Sequence, residues 1–196
     1  MVHIVPQNWN WQPGMQVPVW IYTNCETAEL FLNGKSLGEK HFEYDDVAKI
    51  LWEDVAWEPG ELKVIGKTGH RSIIETSIQT AGWPDRVEII ADRNQVLPNG
   101  DLVYITAKIC DRNGVLVPDA SNLVSFQILE GPGKIIGVDN GNPMSHEPFV
   151  DEQRHAFSGL CLCVIQTLKR EGKIMIRASS AHLKSSTIQI DVQYCK

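Results

Sequence analysis

The sequence predicts an all-β protein built as two consecutive immunoglobulin-like β-sandwich domains, and three features carry that expectation. Apolar and polar residues alternate in short runs rich in β-branched and aromatic side chains, the pattern of half-buried strands. The runs are separated by glycine, asparagine and proline at positions where tight turns need them. No stretch of about ten residues repeats apolar side chains at i, i+3, i+4, so amphipathic helices are not expected.

The first domain is expected over residues 1–82. Val17–Thr23 and Ala28–Asn33 read as strands, and Asn33-Gly34 is a strong hairpin signal because a type I′ turn needs positive φ at both central residues. Ile50–Trp57 follows, then Glu58-Pro-Gly-Glu61, where proline presets the turn. Glu61–Ile65 and Ser72–Gln79 complete the set, joined at Thr68-Gly-His70. Five or six short strands in about 80 residues suffice for a small sandwich.

At Ala81-Gly-Trp-Pro84 the rhythm breaks, since glycine frees the backbone and the residue before proline is pushed to an extended conformation. The second domain, 83–196, then restarts it. Strands are expected at Arg86–Ala91, Leu102–Cys110, Leu123–Leu129, Lys134–Val138, Leu160–Thr167, Lys173–Ser179 and Thr187–Val192. Seven short strands at this spacing fit an immunoglobulin-like sandwich.

Composition narrows the function classes. The 196 residues are 43% hydrophobic and 21% charged, too apolar for a disordered chain. No run of about 18 apolar residues marks a membrane span, and no charged then apolar opening marks a signal peptide. The net charge of −6 argues against a nucleic-acid partner, which would select a basic surface.

Five cysteines, Cys25, Cys110, Cys161, Cys163 and Cys195, include no CxxC pair. In the strand Gly159–Ile165, Cys161 and Cys163 share a face opposite Leu160, Leu162 and Val164. Two thiolates are not the four ligands of a structural zinc site. Free cysteine as a small buried hydrophobe is the favoured reading, with no metal and no cofactor.

Chemistry is sparse. There is no phosphate-binding glycine loop and no GxSxG elbow, and the six histidines lack zinc spacing. Asp45-Asp46 are adjacent carboxylates, whereas a glycosidase pair must flank one bond, so a solvated turn is expected there. No catalytic residue is nominated. Two features are binding candidates for a glycan. One is Asn8-Trp-Asn-Trp11, where Trp9 and Trp11 can stack on a sugar if exposed, against the favoured reading of core anchors. The other is the polar loop Gly137–His146, with Asp139, Asn140, Asn142 and His146. Its oxygens can hold a cation or a sugar, against the favoured reading of a complex turn.

Longer strings carry a family resemblance. Asn8-Trp-Asn-Trp11, Tyr22-Thr-Asn24, Glu29-Leu-Phe-Leu-Asn-Gly-Lys-Ser-Leu-Gly38 and Trp57-Glu-Pro-Gly-Glu-Leu-Lys63 resemble a module that follows the catalytic barrel in bacterial glycoside hydrolase family 2 enzymes of the β-galactosidase type. Asp119–Phe126, Gly131-Pro-Gly133, Gly137–Pro143, Ser145–Phe149 and Ala156–Leu160 are similar to the last β-sandwich domain of the same enzymes. Asn8 stands where those modules usually have histidine, and Cys161 and Cys163 where they have small residues. The resemblance implies a parent that cleaves terminal β-linked sugars with retention, using two glutamates on an upstream barrel. It implies a bacterial parent in the periplasm or secreted. The implied role of this chain is non-catalytic support, with the parent's catalytic barrel and N-terminal domains as partners and no membrane partner. The alternative is a carbohydrate-binding module.

Overall fold

The computed structural model describes residues 1–41, 49–69 and 71–194. Asp45-Asp46, His70 and Cys195, all named above, lie outside them. Among the described residues every regular element is a β-strand, as the all-β expectation requires. The chain divides into two compact units, Met1–Ala81 and Gly82–Lys196.

The first unit contains β1 (Val2–Val5), β2 (Gln16–Thr23), β3 (Thr27–Leu32), β4 (Lys35–His41), β5 (Lys49–Ala56), β6 (Glu61–Thr68) and β7 (Arg71–Gln79). Two antiparallel sheets form, ordered β1-β2-β5 and β4-β3-β6-β7. The period of two decides which side chains meet: Val17, Val19 and Ile21 of β2 are buried, while Gln16, Pro18 and Tyr22 are exposed. They join a core with Leu30 and Leu32 of β3, Leu62 and Val64 of β6, and the indoles of Trp9 and Trp52. Pro18 lies in the central strand without breaking it. Its neighbours Val17 and Val19 pair with Val55 and Trp52, so the ladder is irregular where proline has no N–H to donate. Between β3 and β4, Asn33 and Gly34 have φ of 50° and 79°, which closes the tight hairpin with Leu32 opposite Lys35.

The second unit contains β8 (Arg86–Ala91), β9 (Gln95–Val96), β10 (Leu102–Cys110), β11 (Leu123–Glu130), β12 (Gly133–Asp139), β13 (Gln153–His155), β14 (Leu160–Thr167), β15 (Gly172–Ser180) and β16 (Ser186–Val192). Its sheets run β12-β14-β10-β8 and β13-β11-β15-β16-β9, antiparallel except where β9 pairs with β16. Ile105 and Ile109 of β10, Ile165 of β14, Phe126 of β11, and Ile174 and Ile176 of β15 are buried between them. Gly131 precedes β12 at φ 103°, and a Cβ there would stand 2.0 Å from the Lys173 carbonyl oxygen, so only glycine fits.

Cys161 and Cys163 alternate into this core, opposite in phase to Leu160, Leu162 and Val164, and neither is in a disulfide. Burial pushes both thiols up to about 12, so they stay protonated and behave as small hydrophobes.

Candidate functional site

The tryptophan motif lies in the connection between β1 and β2. Trp9 is fully buried, and its Nε1 donates to the Glu58 carbonyl at 3.0 Å. The Trp9 carbonyl accepts from Trp57 Nε1 at 3.1 Å and from the Thr80 hydroxyl at 2.7 Å. Asn10 makes a reciprocal pair with Ala81: its Nδ2 donates to the Ala81 carbonyl, and its Oδ1 accepts from the Ala81 N–H. The motif is therefore a clasp that ties the β1–β2 connection to the Glu58-Pro-Gly turn and the chain beyond β7. Trp9 offers no face to a sugar, which corrects its nomination as a stacking residue: its indole fills the core instead. Trp11 keeps a partly open face, at 37% exposure.

Asp139, at the end of β12, and Asn140, Asn142 and His146, in the connection to β13, belong to one loop of the second unit. The first three turn their oxygens onto the loop's own backbone. Asp139 Oδ1 accepts from the N–H of Asn140 at 2.7 Å and of Gly141 at 3.2 Å. Asn140 Oδ1 accepts from Asn142 N at 3.0 Å, and Asn142 Oδ1 from Met144 N at 3.0 Å. This is a ladder of side-chain-to-backbone turns. His146 is exposed.

The residue that organises the loop is Arg154 of β13, whose side chain is 1% exposed. Its Nη1 donates to the Glu147 carbonyl at 2.9 Å, and its Nη2 reaches Asn140 Oδ1 at 3.3 Å and Asp139 Oδ1 at 3.4 Å. Nε stands 3.6 Å from Glu147 Oε2 without a hydrogen bond, and the guanidinium carbon is 5.3 Å from the Phe149 ring centroid. A guanidinium thus sits against the oxygens that a metal ion would need, and the same charge repels a cation. Among the described residues no group of three or more His, Cys, Asp and Glu side chains is placed to hold a metal. Beside it, His155 Nδ1 lies 2.7 Å from Glu147 Oε1, and that contact holds the Glu147 carboxyl below its usual range.

Arg154 escapes the sequence reading because one arginine in a polar stretch normally reads as surface. The available signal is indirect: a loop dense in carbonyl and carboxylate acceptors needs a buried donor, and Arg154 is the nearest with five.

With this geometry in view, comparison with known proteins decides the family. Residues 87–189, more than half of the chain, match the model of glycoside hydrolase family 2 C-terminal domain 5. The chain belongs to glycoside hydrolase family 2. Residues 14–73 of this family 2 chain match a second model, a domain of unknown function (DUF4982). The β-galactosidase BoGH2A of Bacteroides ovatus is 41% identical to it over 195 residues, covering 98% of this chain and 22% of that protein. A β-glucuronidase of Formosa agariphila is 25% identical, covering 96% and 19%. The crystal structure of a β-glycosidase from Bacteroides vulgatus matches with a TM-score of 0.91 at 31% identity, over 97% of this chain and 24% of that one. The family 2 chain thus spans about a fifth to a quarter of the length of these proteins.

Proposed function

We propose that this chain is the non-catalytic C-terminal part of a longer family 2 glycosidase, and that its two units support the catalytic domain or shape the rim of its cleft. The observation that carries this is the continuous likeness to a β-galactosidase: 98% of the chain aligns at 41% identity with only 22% of that protein. The side chains agree with a scaffolding role. The Trp9, Asp139 and Asn140 groups that the sequence offers to a ligand are spent on internal hydrogen bonds.

On this reading the parent is a retaining β-glycosidase, and a β-galactoside is favoured as substrate because the β-galactosidase is the nearer of the two relatives compared, at 41% against 25% identity. The parent works in the periplasm or outside a bacterial cell. Residues 1–82 and 83–196 are two of its domains, each able to fold alone, and separate expression of each tests this.

The deciding experiment for the family role is to read the coding frame upstream of Met1. A barrel with two catalytic glutamates is expected there, together with an export signal at the parent's start. A frame with no barrel contradicts the proposal.

A further inference from the structure

The Asp139–Gln153 loop combines internal rigidity with exposed apolar side chains. Its backbone is held by the asparagine and aspartate ladder and by buried Arg154, as described above. The Phe149 carbonyl also accepts from Val138 N at 2.8 Å, which pins the far side of the loop to β12. Yet Met144, Phe149 and Val150 are 78%, 63% and 84% exposed. A loop that orders its backbone and leaves three large apolar groups in water is preorganised to bury them elsewhere.

We infer that this loop is the docking surface through which the chain seats on the remainder of its own longer polypeptide. This rests on the reading above that the chain is one part of a longer glycosidase. Its relatives are four to five times as long, so a large protein surface is the available occupant. Met144 and Val150 have no flat ring on which a sugar stacks, so their chemistry fits an apolar hollow in protein. Asp151 and Glu152 follow the apolar groups directly in the chain, so a hollow bordered by lysine or arginine would complement them. The same acidic flank disfavours a negatively charged lipid surface.

Hydroxyl-radical footprinting tests this directly, because methionine and phenylalanine side chains report their own solvent access. The 196-residue chain and the full-length parent are oxidised in parallel. Met144 and Phe149 are expected to react at least about tenfold more slowly in the parent, since interface anchors are fully desolvated. In a parent carrying Met144→Ser and Val150→Ser, neither of which removes the Phe149 contact with Arg154, Phe149 should regain much of its reactivity. Equal Met144 and Phe149 rates in both proteins overturn the inference. If Trp11 or Ile73 slows instead, the chain docks by another face and the scaffolding role stands. If no side chain slows, the scaffolding role fails as well. Protection that grows with concentration in the isolated chain would identify a second copy as the occupant and likewise overturn the inference.

Discussion

Arg154 Nη1 donates a 2.9 Å hydrogen bond to the Glu147 carbonyl from a side chain that is 1% exposed. A charged group this buried is stable only while its partners remain in place, and here the partners are the polar loop itself. The loop's order and the arginine's burial are therefore one property, which a single substitution can separate.

Arg154→Ala should destabilise the chain by about 2–4 kcal/mol, because it leaves Asp139 and Asn140 acceptors and the Glu147 carbonyl without their donor. Arg154→Lys should recover little of this, since one ammonium cannot reach acceptors on three residues in a planar fork. Urea denaturation of the two variants measures it. A loss below about 0.5 kcal/mol for Arg154→Ala, the size of an ordinary surface change, would show that the buried network is not what orders the loop.

The two tryptophans of the motif should behave oppositely. Trp9→Ala removes a fully buried indole and its bond to Glu58, and is expected to cost about 3–5 kcal/mol. Trp11→Ala, at a partly open site, should cost well under that, about 1 kcal/mol. Equal losses in denaturation midpoint would contradict the core assignment of Trp9.

Much of this fold is legible in the sequence. The strict alternation of β2 and β14 marks one buried face, and Asn33-Gly34 encodes its turn through positive φ. Short or edge strands left weaker traces. β4 (Lys35–His41) is nearly all exposed, so no apolar period betrays it, and β13 and β9 are three and two residues long. The site was harder for a physical reason. Sequence shows that tryptophan and asparagine can bind a ligand, but only packing shows whether their faces and oxygens are already occupied. Arg154 belongs to the same class, since its burial depends on the loop folding over it.

Thiol reactivity checks the core reading of the cysteines. Cys25, Cys110, Cys161 and Cys163 are all buried and unpaired, and burial pushes Cys110 up to about 11 and the latter two to about 12. In a Cys195→Ser background, a thiol reagent at about pH 8 should leave the native protein unlabelled and modify four cysteines once denaturant is added. Fast labelling of Cys161 or Cys163 in the native state would contradict their placement.

A charge triad in the first unit should make stability depend on pH. Glu29 and Glu39 face each other directly across β3 and β4, and Lys67 of β6 reaches both at 2.7 Å. Hydrogen bonds from Lys67 hold both carboxyls below their ordinary value of 4.5, and the two carboxylates raise the lysine above 10.5. The carboxylate contribution is therefore full above about pH 4.5 and is lost as pH falls through the lowered folded values. The lysine contribution is full below about 10.5 and is lost as pH rises through its raised folded value. Lys67→Met should thus be less stable than the parent sequence at neutral pH, with the gap closing as acid protonates the pair. A gap that stays constant from neutral to acidic pH would show that the triad contributes nothing.

On the proposed reading, glycoside chemistry belongs to the longer family 2 protein and not to this chain alone. Turnover of a chromogenic β-galactoside, measured side by side for the purified 196-residue chain and for the full-length parent, tests it most directly. Hydrolysis by the parent and none by the chain at any concentration is expected. Hydrolysis by the chain alone, retained after further purification and proportional to its concentration, would contradict it.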